Sequence, residues 1–388
     1  MTDLSFTIAA PHPDIENHVG RRPLSYFVTL PEGGITPDTG VILAIEGYGS
    51  RPNSEYAGKL RSYLASKYNC LAVTVGYFGQ AVKYGSNVTP YPDFFVNLAR
   101  HHGISVAAPK NADLVDLIPG LAEILAARGI TELHPSCRVA CDCGGEYQSF
   151  GLLPAIDHLE VLHDLLRRFP VTRSRLYAFG SSYGGYIALL LGKFAPATFR
   201  LIVDNSGFVR ANTSLYGDSS FVMRIGSLRL IADEPVVWSR DPKHPRFFGS
   251  HHAMIRDLLR EDHMRPVATR YYCTHYVGDT VAPFAEKKSF AEKMSRFAPV
   301  ELQAVTDGDI DGSLFKEPIH GLNASLRQLF DRSHAAWVAG GGEAAALDTT
   351  DFDQGSRYVF RCGDRSYVFR YSVAAGVAVA VDRVAGFP

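Results

Sequence analysis

The chain has 388 residues, 46% hydrophobic and 20% charged, with Lys plus Arg at 39 against 40 for Asp plus Glu. So even a balance leaves no long-range field to draw the protein to nucleic acid or an anionic membrane. With no such field the expected partner is a small molecule or another protein, and that much apolar surface excludes a disordered chain and suits one large core.

The opening residues, MTDLSFTIAAPHPDIENH, place no basic segment before an apolar core and do not read as a secretory signal. The apolar run from Val373 to Val381 is about half the length that spans a bilayer. A cytoplasmic location is expected. The cysteines (Cys70, Cys137, Cys141, Cys143, Cys273 and Cys362) are few and unevenly spaced, which suits reduced thiols better than a disulfide framework.

In chain order, Ser25–Leu30 and Val41–Glu46 are β-rich runs bounded by Pro, Gly and Asp, followed by the loop Gly47-Tyr48-Gly49-Ser50. Residues Glu55–Lys67 place Tyr56, Leu60, Tyr63 and Leu64 at helical spacing, and Leu71–Val75 is again a strand, which makes a βαβ unit. An insertion rich in Pro, Gly and aromatics spans about 79–145, with an amphipathic helix expected over Ala112–Arg128. Alternation returns with a helix over Glu146–Arg168, a strand at Arg175–Phe179, a helix over Tyr183–Lys193 and a strand at Leu201–Asp204. A second insertion, about 209–264, sits where a cap is expected. It contains His251, His252, Trp238, Phe247 and Phe248, the aromatics being candidates to line an apolar pocket and the histidines a solvated face. The sheet resumes at Thr269–His275, with a helix over Phe284–Phe297, a strand at Val300–Val305 and a helix over Leu322–Asp331. An Ala/Gly-rich linker, Ala335–Ala346, leads to two copies of YVFR separated by Gly363-Asp364, a hairpin signal. The expected fold is therefore α/β with a mostly parallel central sheet flanked by helices. The expected division is a main domain over 1–334, including both insertions, and a small β-rich extension over 335–388.

The feature that carries chemistry is Gly180-Ser181-Ser182-Tyr183-Gly184, set between a strand and a helix. A G-x-S-x-G match arises by chance in Gly-rich chains, but in this setting it is a nucleophile elbow. The turn is so tight that the flanking positions tolerate no side chain, and Ser182 is held exposed above the sheet. The helix after it supplies the Tyr183 N–H as one oxyanion donor. The glycine loop after the early strand, Gly47-Tyr48-Gly49, supplies a second, the Tyr48 N–H.

A serine hydroxyl needs a base, and His320 in Glu317-Pro318-Ile319-His320-Gly321 follows the last strand, where this fold places one. Asp279 in Gly278-Asp279-Thr280-Val281-Ala282-Pro283 follows the strand before it and is the acid expected to orient the imidazole. A helix-capping role is the plainer reading of Asp279, with Asp204 as the rival acid.

Around the elbow, GSSYGGYIALLLGKFAPATFRLIV resembles prolyl-oligopeptidase-type serine peptidases, and GDTVAP resembles their acid loop. The resemblance implies an α/β-hydrolase fold and a Ser182–Asp279–His320 triad. The β-propeller of those peptidases is not expected, since the chain lacks the repeats for one. EGYGSRPNSEYAGKL and EYQSFGLLPAIDHL are similar to a bacterial α/β-hydrolase family without an assigned reaction, sometimes linked with flagellin glycosylation.

His134, Cys137, Cys141 and Cys143 could together offer zinc ligands, but the spacing matches no standard knuckle. Asp307, Asp309 and Asp311 open like an EF-hand loop, yet the twelfth position is Pro318. No cofactor or metal is expected. The function expected is a serine hydrolase, a carboxylesterase or deacylase acting on a small-molecule acyl substrate. An acyltransferase to a sugar or alcohol, a small-substrate peptidase and a non-catalytic scaffold are the alternatives. The C-terminal hairpin offers an edge through which a homo-oligomer could form.

Overall fold

The computed structural model describes residues 2–80, 88–90, 92–103, 121–139, 145–211, 221–225, 228–232, 238, 241–342 and 347–384. The chain divides into two compact units, one of Met1–Gln80, Ser149–Ala211 and Ser250–Pro388, the other of Ala81–Gln148 and Asn212–Gly249.

The first unit is built on an eight-stranded sheet. Its strands are β1 (Asp3–Ile8), β2 (Leu24–Thr29), β3 (Gly40–Ile45), β4 (Cys70–Val75), β5 (Leu176–Ser181), β6 (Leu201–Asn205), β7 (Arg270–Tyr276) and β8 (Val300–Val305). They lie in the order β1-β2-β4-β3-β5-β6-β7-β8. β2 runs antiparallel to both neighbours and every pairing from β4 to β8 is parallel. This is the α/β-hydrolase fold. The central strands are continuous apolar runs because helices cover both faces; every residue of β3 and β4 is buried. β1 and β8, at the edges, keep exposed positions.

The flanking helices include α1 (Glu55–Tyr68), α2 (Leu152–Arg168), α3 (Tyr183–Phe194), α4 (Ser250–Arg256), α5 (Phe284–Met294) and α6 (Leu326–Ala339). α1 is capped by Ser54, whose side chain accepts from the Ala57 N–H, and ends at Asn69 in the left-handed region. α3 is buried along its whole length.

Two helices begin later than the sequence pattern places them, and α5 ends at Met294 rather than Phe297. α2 begins at Leu152 rather than Glu146, because Phe150 and Gly151 take positive φ values of 45° and 97°. A Cβ on Gly151 would sit 2.5 Å from Leu190, so the chain enters α2 packed hard against α3. α6 begins at Leu326 rather than Leu322, since Leu322 and Asn323 also have positive φ, and it runs on to Ala339, through the start of the expected linker. Alanine is a strong helix former, and Trp337 anchors that extension by packing edge-on against Tyr177.

The tail is a separate three-stranded antiparallel sheet of β9 (Arg357–Cys362), β10 (Arg365–Ser372) and β11 (Gly376–Arg383). The expected hairpin is β9–β10, turning at Gly363; the apolar run after Val373 supplies β11. Phe194, the last residue of α3, stacks on Phe369 at 4.6 Å between ring centroids.

The second unit contains a four-stranded sheet in the order Val88–Pro90, Glu132–Val139, Leu228–Ala232, Phe221–Ile225. Trp238 is buried there between Tyr147 and Phe248, and its indole N–H donates to the Gln148 carbonyl. Of the helix expected over Ala112–Arg128, residues 121–126 are helical and 112–120 lie outside the described residues. Cys141 and Cys143 also lie outside them, as do the side chains of His134 and Cys137. Cys70, Cys273 and Cys362 are buried free thiols. No helix among the described residues is long and apolar enough to cross a membrane.

Candidate active site

The site is built at the C-terminal ends of the parallel strands of the first unit. β5 ends at Ser181, α3 starts at Tyr183, and Ser182 between them takes φ 56° and ψ −121°. A non-glycine residue there is strained, at about 1–3 kcal/mol. Its N–H donates to the Asn205 carbonyl at 2.7 Å and its carbonyl accepts from Tyr186 at 3.0 Å, so both peptide groups are fixed. The flanking glycines have a steric cause. A Cβ on Gly180 would lie 2.3 Å from the Gly184 backbone, and one on Gly184 would lie 2.2 Å from the Ile45 carbonyl oxygen.

Ser182 Oγ lies 2.7 Å from His320 Nε2. On the far side of the ring, Nδ1 lies 2.7 Å from Asp279 Oδ2. Asp279 is buried just after β7, and its Oδ1 accepts from the backbone N–H groups of Val281 (2.8 Å) and Ala282 (2.9 Å). Burial alone would raise its pKa. The bonds from His320, Ala282 and Val281 outweigh that and hold the carboxyl below its ordinary value. The rival acid, Asp204, is fully buried at the end of β6. It pairs with Lys287 of α5 and accepts from the Gly207 N–H, so the structure brings Asp279 and not Asp204 to the imidazole.

Gly47 and Tyr48 follow β3 and line, with Ser182, a cavity of about 310 Å³. Tyr183 is the first residue of α3, so the positive end of that helix faces the serine. Its buried ring meets Tyr48 edge-on, and its hydroxyl accepts from the Gly151 N–H at 2.8 Å.

Two residues of the site were not singled out from sequence. Asn205 Nδ2 donates to Ser181 Oγ at 2.9 Å and to the Gly321 carbonyl at 3.0 Å, which joins the elbow to the histidine loop. The only signal was its place at a strand end beside the elbow strand. His275, in β7, donates from Nε2 to the Ala282 carbonyl at 2.7 Å and lies 3.4 Å from Asp279 Oδ2. Burial, with Lys287 nearby, lowers its pKa.

The other constellations have structural partners. Asp309 bonds the backbone and hydroxyl of Thr306, Asp311 accepts from Ser313 and Phe315, and Asp307 accepts from Tyr276. These carboxylates shape the turns leading to the histidine loop. Rather than a solvated face, His252 is buried in α4, where burial drives its pKa far down.

Among solved structures, the chain is similar to Est1E from Butyrivibrio proteoclasticus, at 10% identity and a TM-score of 0.42 over 83% of this chain and 95% of that one. It is also similar to the acylaminoacyl peptidase of Pyrococcus horikoshii, at 14% identity and a TM-score of 0.45 over 86% of this chain but 42% of that one. A third is the Est2 esterase of Thermogutta terrifontis, at 12% identity and a TM-score of 0.43 over 82% and 90%. No curated protein matches. A family model described as protein of unknown function (DUF2920) matches residues 9–374, and the chain belongs to that family.

Proposed function

We propose that the protein is a serine hydrolase that cleaves an ester, or an amide, through an acyl-enzyme on Ser182. The observation that carries this reading is the unbroken hydrogen-bonded run from Ser182 Oγ through both nitrogens of His320 to Asp279.

A serine hydroxyl is a weak nucleophile near neutral pH. His320 takes its proton at Nε2 as Oγ attacks the carbonyl carbon, and Asp279 holds the ring with Nδ1 protonated and stabilises the imidazolium that forms. The tetrahedral oxyanion is met by the N–H groups of Tyr183 and Tyr48, with Gly47 allowing the backbone to come close. His320 then returns the proton to the departing alcohol or amine. Water, activated by the same imidazole, attacks the acyl carbon and releases Ser182.

Labelling with a fluorophosphonate probe tests the reading. Ser182 should acquire the adduct, and Ser182→Ala should abolish both labelling and ester turnover while circular dichroism stays unchanged. A folded wild-type protein that takes up no label would support the scaffold reading instead.

A further inference from the structure

We infer that the Glu46 carboxylate is the counter-ion for a cationic amine on the acyl part of the substrate, beside the carbonyl that Ser182 attacks. This rests on the hydrolase reading and adds the substrate class.

Glu46 follows β3 and immediately precedes Gly47. Its backbone carbonyl is fixed by the Tyr77 hydroxyl at 3.0 Å, and its residue is 9% exposed. Glu46 lines the same cavity as Ser182, together with Ser50 and Tyr56, and it is the only charged residue among the described lining residues. Burial pushes the carboxyl up to about 7, against the opposing pull of Arg61 and of a bond from Ser50. Arg61 directs its donors to the Pro52 carbonyl at 2.8 Å and to the hydroxyls of Thr74 at 2.7 Å and Thr29 at 3.3 Å. A carboxylate held this dry beside a reactive serine gains most from a ligand cation, which would replace the solvation it has lost.

The cavity also has a direction. The leaving group must lie within reach of His320 Nε2, 2.7 Å from Ser182 Oγ, to collect its proton, so the inference assigns the Glu46 end of the cavity to the acyl portion. An aliphatic acyl chain would meet a charge there, and an anionic one would meet repulsion.

The test uses three methyl 4-nitrophenyl phosphonates that differ only in the group on phosphorus: aminomethyl, hydroxymethyl or ethyl. Ser182 Oγ attacks phosphorus, its proton passes to His320 and 4-nitrophenolate leaves, so the adduct is a serine phosphonate with no change of oxidation state. Intact-mass spectrometry reads the second-order rate. Aminomethyl should label at least about tenfold faster than ethyl, the size of one charge-assisted hydrogen bond, and Glu46→Gln should bring the two within about twofold.

A second measurement needs no variant. The preference of the intact protein should fade below about pH 6, where the amine stays protonated and the carboxyl does not. Among the described residues, the titratable or charged groups near Glu46 are Arg61 and Tyr56 of α1, Tyr77 beyond β4 and Tyr48 in the same cavity. None of these titrates in that range, and His320 acts on all three probes alike, so it cancels from the ratio. Equal rates for aminomethyl and ethyl, faster labelling by hydroxymethyl, or a preference that survives Glu46→Gln would overturn the inference while leaving the Ser182 reading in place. Labelling by none of the three in a folded protein would overturn both.

Discussion

Asn205 and Gly321 are joined by a 3.0 Å bond from the amide Nδ2 to the carbonyl, and the same nitrogen reaches Ser181 Oγ. One side chain thus ties the residue before Ser182 to the residue after His320. Removing it leaves the elbow and the histidine loop without their shared brace. Asn205→Ala should slow fluorophosphonate labelling of Ser182 by about tenfold, as expected for two lost bonds of about 1 kcal/mol each at most. An unchanged labelling rate would show that the loop holds its place without the amide.

The two buried acids should fail in different ways. Asp279→Asn keeps the packing but presents an amide to the imidazole and favours the wrong tautomer, so turnover should fall by about four orders of magnitude with little change in melting temperature. Asp204→Asn instead strands the Lys287 ammonium, whose side chain is 1% exposed, and should destabilise the fold by about 3–5 kcal/mol. Melting curves and ester kinetics on both variants separate the roles. Crippled turnover in a stable Asp204→Asn protein would reverse the assignment.

Glu46 makes a prediction for stability as well. Its folded pKa, about 7, lies above its unfolded value, which is the reverse of the usual carboxylate case. Below the unfolded pKa both states are protonated and the residue costs nothing. As pH rises towards 7 the unfolded chain ionises first and the fold loses stability, and above that the loss is constant. Glu46→Gln should therefore be nearly neutral at about pH 4 and stabilising above about pH 7, by on the order of 3 kcal/mol at most. Thermal melts across that range check it; a stabilisation that does not grow with pH would contradict the assigned ionisation.

The close approach of α3 to β3 sets a fourth expectation. A methyl group at position 184 would meet the Ile45 carbonyl at 2.2 Å, and backbone cannot move aside as a side chain can. Gly184→Ala should cost a few kcal/mol and displace the elbow, giving little soluble protein. A well-folded, active variant would mean the helix can shift outward freely.

The sheet and the three central side chains were legible because each carries a local signature. Apolar runs mark β3 and β4, and the glycines flanking Ser182 are dictated by close backbone approaches, Gly180 to Gly184 within the turn and Gly184 to the Ile45 carbonyl. Asp279 and His320 follow from their places after strands. Asn205 and Glu46 were not legible in the same way, because their importance comes from neighbours far along the chain: Gly321 for one, the cavity around Ser182 for the other. The ends of α2 and α6 were misplaced for a related reason. Phe150 and Leu322 take positive φ beside Gly151 and Gly321, although their own residue types do not announce it.

Phe194, at the far end of the helix that begins beside Ser182, is covered by Phe360 and Phe369, and its carbonyl accepts from the Tyr371 hydroxyl. On the ribosome, residues 183–194 are made long before the strands that shield their last turn. A nascent chain halted short of residue 360 would leave the aromatic surface of that turn without either of the rings that cover it.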